Sequence, residues 1–308
     1  MSHEGKPVIG EHNLGESARK QLEEARRDPR LDRGRGASVA DFWAAIEEAE
    51  RVRMLGIWGL YELQRSLENE EAKLGVSRDD PNLDDSVTRR LQAAWERAEL
   101  ARSDHEAGHA GLNAQCLVSQ VSALDALVEE FAPAMREIQV AMIADQMTKK
   151  AAEEHPEAAA ALSPEVHAKI GEVVRKQLAN MLPKLKSLKN KGAQRYEKLL
   201  AGVGLAAPAD RQIPQDLDQA IAEMGALRDA LVHRSARIDA KALSDAPSLR
   251  WAEGELVRLS DDDYRTYSAA IRCYSEEVVF RSIRAWPEVT DKDGPNLANW
   301  KSYYRLGA

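Results

Sequence analysis

LNAQCLVSQVSALDALVEEF, residues 112–131, decides the fold. Leu117, Val121, Leu124, Val128 and Phe131 step by four, three, four and three, so all five share one face of an α-helix. A strand alternates sides at every residue and would scatter them over both faces. Neither Gly nor Pro interrupts the run. Beyond it the period predicts continuation past Pro133, with a kink there, to about residue 150.

The same reading extends in both directions. Ser163 and Pro164 open a further helix, Ser as cap and Pro in its first turn, with Ile170, Val174, Leu178, Met181, Leu185 and Leu188 on its apolar side and a kink at Pro183. Residues 202–214 read as a loop. Residues 215–233 read as a helix with Leu217, Ile221, Met224 and Leu227 or Leu231 toward the core. Residues 235–259 are irregular, and 254–259 (GELVRL) suits one arm of a small hairpin. Ser260 with Asp263 is a capping box that starts a helix carrying Tyr264, Tyr267, Ile271, Tyr274 and Val278 at helical spacing; these tyrosines are expected in the core. Trp300, Tyr303 and Tyr304 mark a tail without a legible period.

Upstream, a charged helix is expected from about Asp85 to Ala101, after a loop at 75–81. Before that loop, Ser38 and Asp41 form another capping box, and one helix is expected to run to about Lys73. Phe42, Ile46, Ala49 and Val52 share its apolar face, which Trp58 and Tyr61 prolong. Residues 1–37 are polar, lack an apolar period and read as disordered.

Composition agrees with an all-α chain. Ala, Leu, Glu, Arg and Lys dominate the 308 residues, apolar residues make up 44% and charged residues 31%, and mean hydropathy is −0.50. Two cysteines, Cys116 and Cys273, make no disulfide framework, so a reducing cytoplasm is expected. No run approaches the ~20 apolar residues of a membrane span, and the first residues lack a signal-peptide core. The net charge of −8 argues against a general nucleic-acid coat. Its distribution is uneven. Lys169, Arg175, Lys176, Lys184, Lys186, Lys189, Lys191, Arg195 and Lys198 face only Glu172 and Glu197, a basic stripe that suits either RNA phosphates or solvent.

Two motifs compete for chemistry. His105-Glu106-Ala107-Gly108-His109 is an HExxH sequence, whose histidines on one helix face can bind Zn²⁺ while Glu106 acts as base. Its letters resemble the HEAGH motif of membrane-anchored ATP-dependent zinc proteases. Its flank, Arg102-Ser103-Asp104, is polar where such a helix is apolar, and no third ligand is evident. Glu129 has a usable spacing but sits on the continuous helix that opened this reading. The expectation is no metal and two exposed histidines at a helix end.

The other motif is Arg228-Asp229-Ala230-Leu231-Val232-His233. Asp229 and His233 are four apart on a helix, so the carboxylate is placed to orient the imidazole. Followed by RSARID (234–239), GELVRLS (254–260) and DDDYRTYSAAIRCY (261–274), and preceded by SALDALVEEF (122–131), this segment resembles the HEPN (higher eukaryote and prokaryote nucleotide-binding) family over about residues 110–285. The resemblance implies a helical domain that dimerises, bringing two Arg–His pairs to one cleft. It implies a metal-independent endoribonuclease without cofactor, of toxin or antiviral-defence type, with RNA as substrate and an antitoxin or other protein as possible partner. His233 would then be the general acid or base at the 2′-hydroxyl and Arg228 would stabilise the phosphorane-like transition state. Arg234 and the lysines at 184, 186, 189 and 191 would hold RNA. Asp229 stands where Asn is commoner, and an acid beside a phosphate is electrostatically awkward. Other members are interaction or nucleotide-binding modules without catalysis.

The expected organisation is therefore a disordered segment at 1–37, a helical extension at 38–109, a HEPN-like helical bundle at 110–288 with at most one small β-hairpin, and a tail at 289–308.

Overall fold

The structure, a computed structural model, describes residues 35–131, 192–202, 204–284 and 294–301, with a few single positions between 153 and 180. The expectations for the first residues, for a helix beyond Pro133, for most of the helix opened by Ser163 and for Tyr303 and Tyr304 lie outside them.

Among the described residues the chain is all-α, with eight helices and no strand. They are α1 (Arg35–Gln64), α2 (Ser66–Leu74), α3 (Asp85–Glu106), α4 (Ala110–Ala126), α5 (Ala193–Gly202), α6 (Gln215–His233), α7 (Ala240–Asp245) and α8 (Asp261–Arg284). The helix that decides the fold is also its centre. α4 packs against α1, α6 and α8, and Leu117, Val121, Leu124, Leu127 and Val128 are all buried. Its last turn, Leu127–Phe131, widens into a π-helix, onto which α5 docks. There Tyr196 donates to Asp125 (2.7 Å) and Arg195 pairs with Glu129 (3.2 Å).

The local signals explain most boundaries. Asp84 caps α3 by accepting from the amides of Ser86 and Val87. Gly75, at φ +66°, ends α2 in the left-handed conformation that Gly adopts without a Cβ penalty. At the start of α8 the Ser260 amide donates to Asp263 Oδ2 (2.8 Å) and the Asp263 amide to Ser260 Oγ (3.3 Å), a reciprocal capping box. Tyr264, Tyr267, Ile271, Tyr274 and Val278 are buried as their spacing requires.

α1 departs from its sequence reading. It is already helical at Arg35, so Ser38 lies inside the helix, and it breaks at Arg65, where the Ser66 hydroxyl turns to the Ala94 carbonyl of α3 (2.7 Å). Its first half, with Val39, Phe42, Trp43, Ile46 and Ala49, belongs to the same core as α4, α6 and α8. The extension that the sequence sets apart thus shares its core with the bundle. Its second half is different: Val52, Leu55, Trp58 and Tyr61 are exposed, whereas Arg53 is buried. The reason is geometric. α3 covers this half with only Leu91, Ala94, Ala98 and Ala101, a narrow and mostly alanine stripe. Gly56 lets α1 run close against α4, since a Cβ there would lie 2.8 Å from both methyls of Leu112.

Residues 235–259 are less irregular than expected. Asp239 caps the short α7, accepting from the Ala242 amide (2.8 Å). The anticipated hairpin arm pairs with the chain just after α6: Arg237 and Leu256 form one antiparallel bridge, and Val257 donates to Ala236 (2.7 Å). Trp300, in the tail, is buried and donates to Asp216 (3.2 Å).

Candidate functional site

α6 ends at His233, which is exposed. The amides of Arg234 and Ala236 both donate to the Ala230 carbonyl (3.0 and 3.1 Å). To make that turn, Ser235 and Ala236 take positive φ, 50° and 59°. Left-handed non-glycine residues cost about 1–2 kcal/mol each, so the surroundings must impose them. The 254–257 segment does so through the amides of Ile238 and Val257, which donate to Glu255 and Ala236. Strain is therefore held immediately behind His233.

Arg228, Asp229 and His233 line two adjoining lobes of a cleft, one between α6 and α7 and the other where α4 and α5 meet α6. One, of about 320 Å³, is bordered by Asp229, His233, Arg234, Asp239 and Lys241. The other, of about 170 Å³, is bordered by Asp125, Arg195, Tyr196, Arg228 and Asp229. Asp229, Lys241 and Asp245 belong to both lobes. Arg228 thus faces one lobe and His233 the other, with Asp229 between them.

The carboxylate of Asp229 meets Arg228 (3.3 Å) and Lys241 (3.8 Å). No hydrogen bond joins it to His233 among the described residues. Lys241 also pairs with Asp245 (2.8 Å). That hydrogen bond above all, against a smaller opposing effect of burial, raises its ammonium pKa, helped by the charges of Asp245, Asp229 and Asp239. Arg234 pairs with Asp239 (3.1 Å). Three buried guanidinium nitrogens among the described residues lack a hydrogen-bond partner: Arg272 Nε and Arg281 Nη2 on α8, and one in the cleft. Arg228 Nε is buried with no hydrogen-bond partner, a state that costs about 1–3 kcal/mol and that an anion would relieve. Sequence reasoning did not single out Lys241, Asp239 or Asp245, because no spacing links them to α6 before the 235–240 turn folds back.

Of the basic stripe, Arg195 is committed to Asp125 and Glu129. Lys169 and Lys176 are helical and exposed. Lys184, Lys186, Lys189 and Lys191 lie outside the described residues.

The HExxH segment does not form the expected helix end with two exposed histidines. α3 stops at Glu106, and Gly108 and His109 both adopt positive φ (66° and 56°) before α4 begins. His105 therefore lies in the last turn of α3, whereas His109 lies at the joint, as the residue that precedes α4. His105 is exposed, but His109 is buried at 6% exposure. Its Nδ1 lies 3.3 Å from Asp261 Oδ2 on α8, and its Nε2 lies 3.2 Å from His105 Nδ1. Asp261 in turn accepts from Arg53 (2.5 Å) and Asn113 (3.0 Å). Asn113 also accepts from Arg53 (2.7 Å) and donates to the carbonyls of Gly108 and Leu259 (2.8 and 2.9 Å). Burial pushes the Asp261 carboxyl up, but the Asn113 hydrogen bond and the Arg53 guanidinium outweigh it and hold it below its usual value. Glu129 pairs with Arg195 on α5. Among the described residues no group of three or more His, Cys, Asp or Glu is placed to hold a metal. A zincin arrangement needs both histidines and the glutamate on one helix, and the break at Gly108 removes it.

Fold and site together define an all-α bundle with a charged, two-lobed cleft at the end of one core helix. Compared with protein-family models, curated proteins and solved structures, the chain matches none. No helix among the described residues is long and apolar enough to cross a membrane.

Proposed function

We propose that this chain is a metal-independent endoribonuclease of HEPN type, a toxin or antiviral-defence effector acting as a homodimer. The observation that supports it best is that Arg228 and His233 line adjoining lobes that share Asp229 and Lys241, with the Arg228 Nε donor buried and lacking an acceptor. A phosphate oxygen is the acceptor that a bare Arg Nε–H favours. In this reading His233 removes the 2′-hydroxyl proton, the 2′-oxygen attacks the adjacent phosphorus, and the 5′-oxygen leaves with a proton. Arg228 carries the charge that builds on the non-bridging oxygens. Two copies facing each other would supply a base and an acid. Arg234, with Lys184, Lys186, Lys189 and Lys191, would hold the strand, and an antitoxin or other protein would restrain the dimer.

A second reading, a non-catalytic interaction or nucleotide-binding module, draws on a different observation. Arg228, Arg234 and Lys241 already meet Asp229, Asp239 and Asp245, so the cleft offers little net positive charge to RNA.

One experiment separates them. RNA incubated with the chain in EDTA should yield 2′,3′-cyclic phosphate and 5′-hydroxyl ends, with DNA spared for lack of the 2′-hydroxyl. His233→Ala should abolish turnover, and Arg228→Ala should lower it by roughly 10²–10³-fold, the loss of one oxyanion donor. Changing the four lysines to Glu should weaken RNA binding and flatten its salt dependence. A wild-type dimer that leaves varied RNAs intact overturns the nuclease reading in favour of the module.

A further inference from the structure

His105 and His109 bring two ring nitrogens within hydrogen-bond distance of each other. His109 Nδ1 faces the Asp261 carboxylate, so its proton belongs there and Nε2 carries the lone pair. That lone pair meets His105 Nδ1 at 3.2 Å. With metal–nitrogen bonds of 2.0–2.1 Å, nitrogens 3.2 Å apart subtend about 103° at a common ion, close to tetrahedral. Rings meeting at that angle have centres about 5.0 Å apart, whereas a straight N–H···N bond would set them about 5.5 Å apart. The observed separation is 5.1 Å, with the planes inclined at 68°.

The support behind the pair is built. Asp261 orients His109 and is itself held by Arg53 and Asn113, both buried. The same Asn113 amide grips the Gly108 carbonyl and so helps hold the left-handed turn that swings His109 back toward His105. A carboxylate behind a ligating histidine fixes its tautomer and raises its basicity. His105 is exposed, which leaves the outer side open to solvent.

We propose that His105 Nδ1 and His109 Nε2 bind one divalent transition-metal ion, of the Ni²⁺, Cu²⁺ or Zn²⁺ class that imidazole favours, with water in the remaining positions. Such an ion would tie the end of α3 to the start of α4 and, through Asp261, to α8. Its role is to lock the joint between α3 and the bundle. The inference is independent of the ribonuclease reading, which concerns the end of α6 and operates in EDTA.

The test uses the full chain, stripped with EDTA and dialysed, then titrated calorimetrically with Ni²⁺ and with Zn²⁺. One equivalent should bind and raise the thermal midpoint, and Cu²⁺ should give an electron paramagnetic resonance spectrum with nitrogen coupling. His105→Ala removes an exposed ring, so it should stay folded by circular dichroism and lose at least tenfold in affinity. Asp261→Asn should weaken binding by about 10–100-fold, as removal of an outer-shell carboxylate does. His233→Ala should bind like wild type. Absence of binding at submillimolar ion, or binding that survives His105→Ala, overturns the proposal.

Discussion

At the α3–α4 joint a histidine lies buried in a polar network that ties α1, α4 and α8 together. At the end of α6 another histidine lies open to solvent, beside charges that neutralise one another across a cleft. Both sit in short Arg- and acid-containing stretches of similar composition, yet their energetics differ. Charges withdrawn from water are costly to leave unpaired, so the joint must be satisfied at every atom to exist. Exposed charges exchange partners cheaply, so the cleft can release Arg234 or Lys241 to a ligand. The joint suits a lock and the cleft suits a site that binds and lets go.

The contrast is broken most directly at Arg53, which pairs with Asp261, donates to Asn113 and stacks over the Tyr264 ring at 4.6 Å. Arg53→Ala should destabilise the fold by about 3–5 kcal/mol in urea, because it strands buried partners. A loss no greater than that of Arg234→Ala, expected below about 1 kcal/mol at an exposed pair, would show that the joint is as soft as the cleft.

Alkali should attack the core around the joint next. Burial, and then the charge of Glu50, push the Cys116 thiol from 9.0 up to about 11. Burial likewise raises Cys273, Tyr264 and Tyr267. Between pH 9 and 11 the unfolded chain has therefore lost a Cys116 proton that the folded chain keeps, so stability falls as pH rises. The loss from Cys116 alone is about 2–3 kcal/mol, and Cys116→Ala should flatten that part of the pH profile. In the native protein at pH 8 a thiol reagent should label neither cysteine until denaturant is added; rapid labelling of Cys116 would mean that α4 opens readily.

The smallest stability effect belongs to the cleft. His233→Ala should cost only about 0.5 kcal/mol or less, as for an exposed side chain at a helix end, measured by thermal denaturation. A larger drop would mark His233 as structural and sharpen the case for an interaction module. Asp229→Asn removes one carboxylate that now meets Arg228 and Lys241, and should raise RNA affinity a few-fold in a filter-binding assay.

Periodicity carried the fold. The steps of Leu117, Val121, Leu124 and Val128 placed α4 at the centre, the bounds of α6 matched its apolar period, and Ser260 with Asp263 marked the start of α8 to the residue. These are local properties, fixed by 3.6 residues per turn and by which side chain reaches which amide. Val52, Trp58 and Tyr61 were read on the apolar side of α1 and are exposed, because spacing says which residues share a face, not whether another helix is wide enough to cover it.

Of the chemistry, the residue types were legible along the chain: Arg228 and His233 on one helix, and one histidine pair, His105 and His109. Their neighbours came from the packing of the helices. Asp239, Lys241 and Asp245 reach the cleft because strained turns after His233 fold the chain back beside α6. Asp261, 152 residues from His109, reaches it because α8 starts where α4 starts. Charge and hydrogen bonding act through space over a few ångströms, whereas a motif records distance along the chain, and a bundle makes the two unrelated.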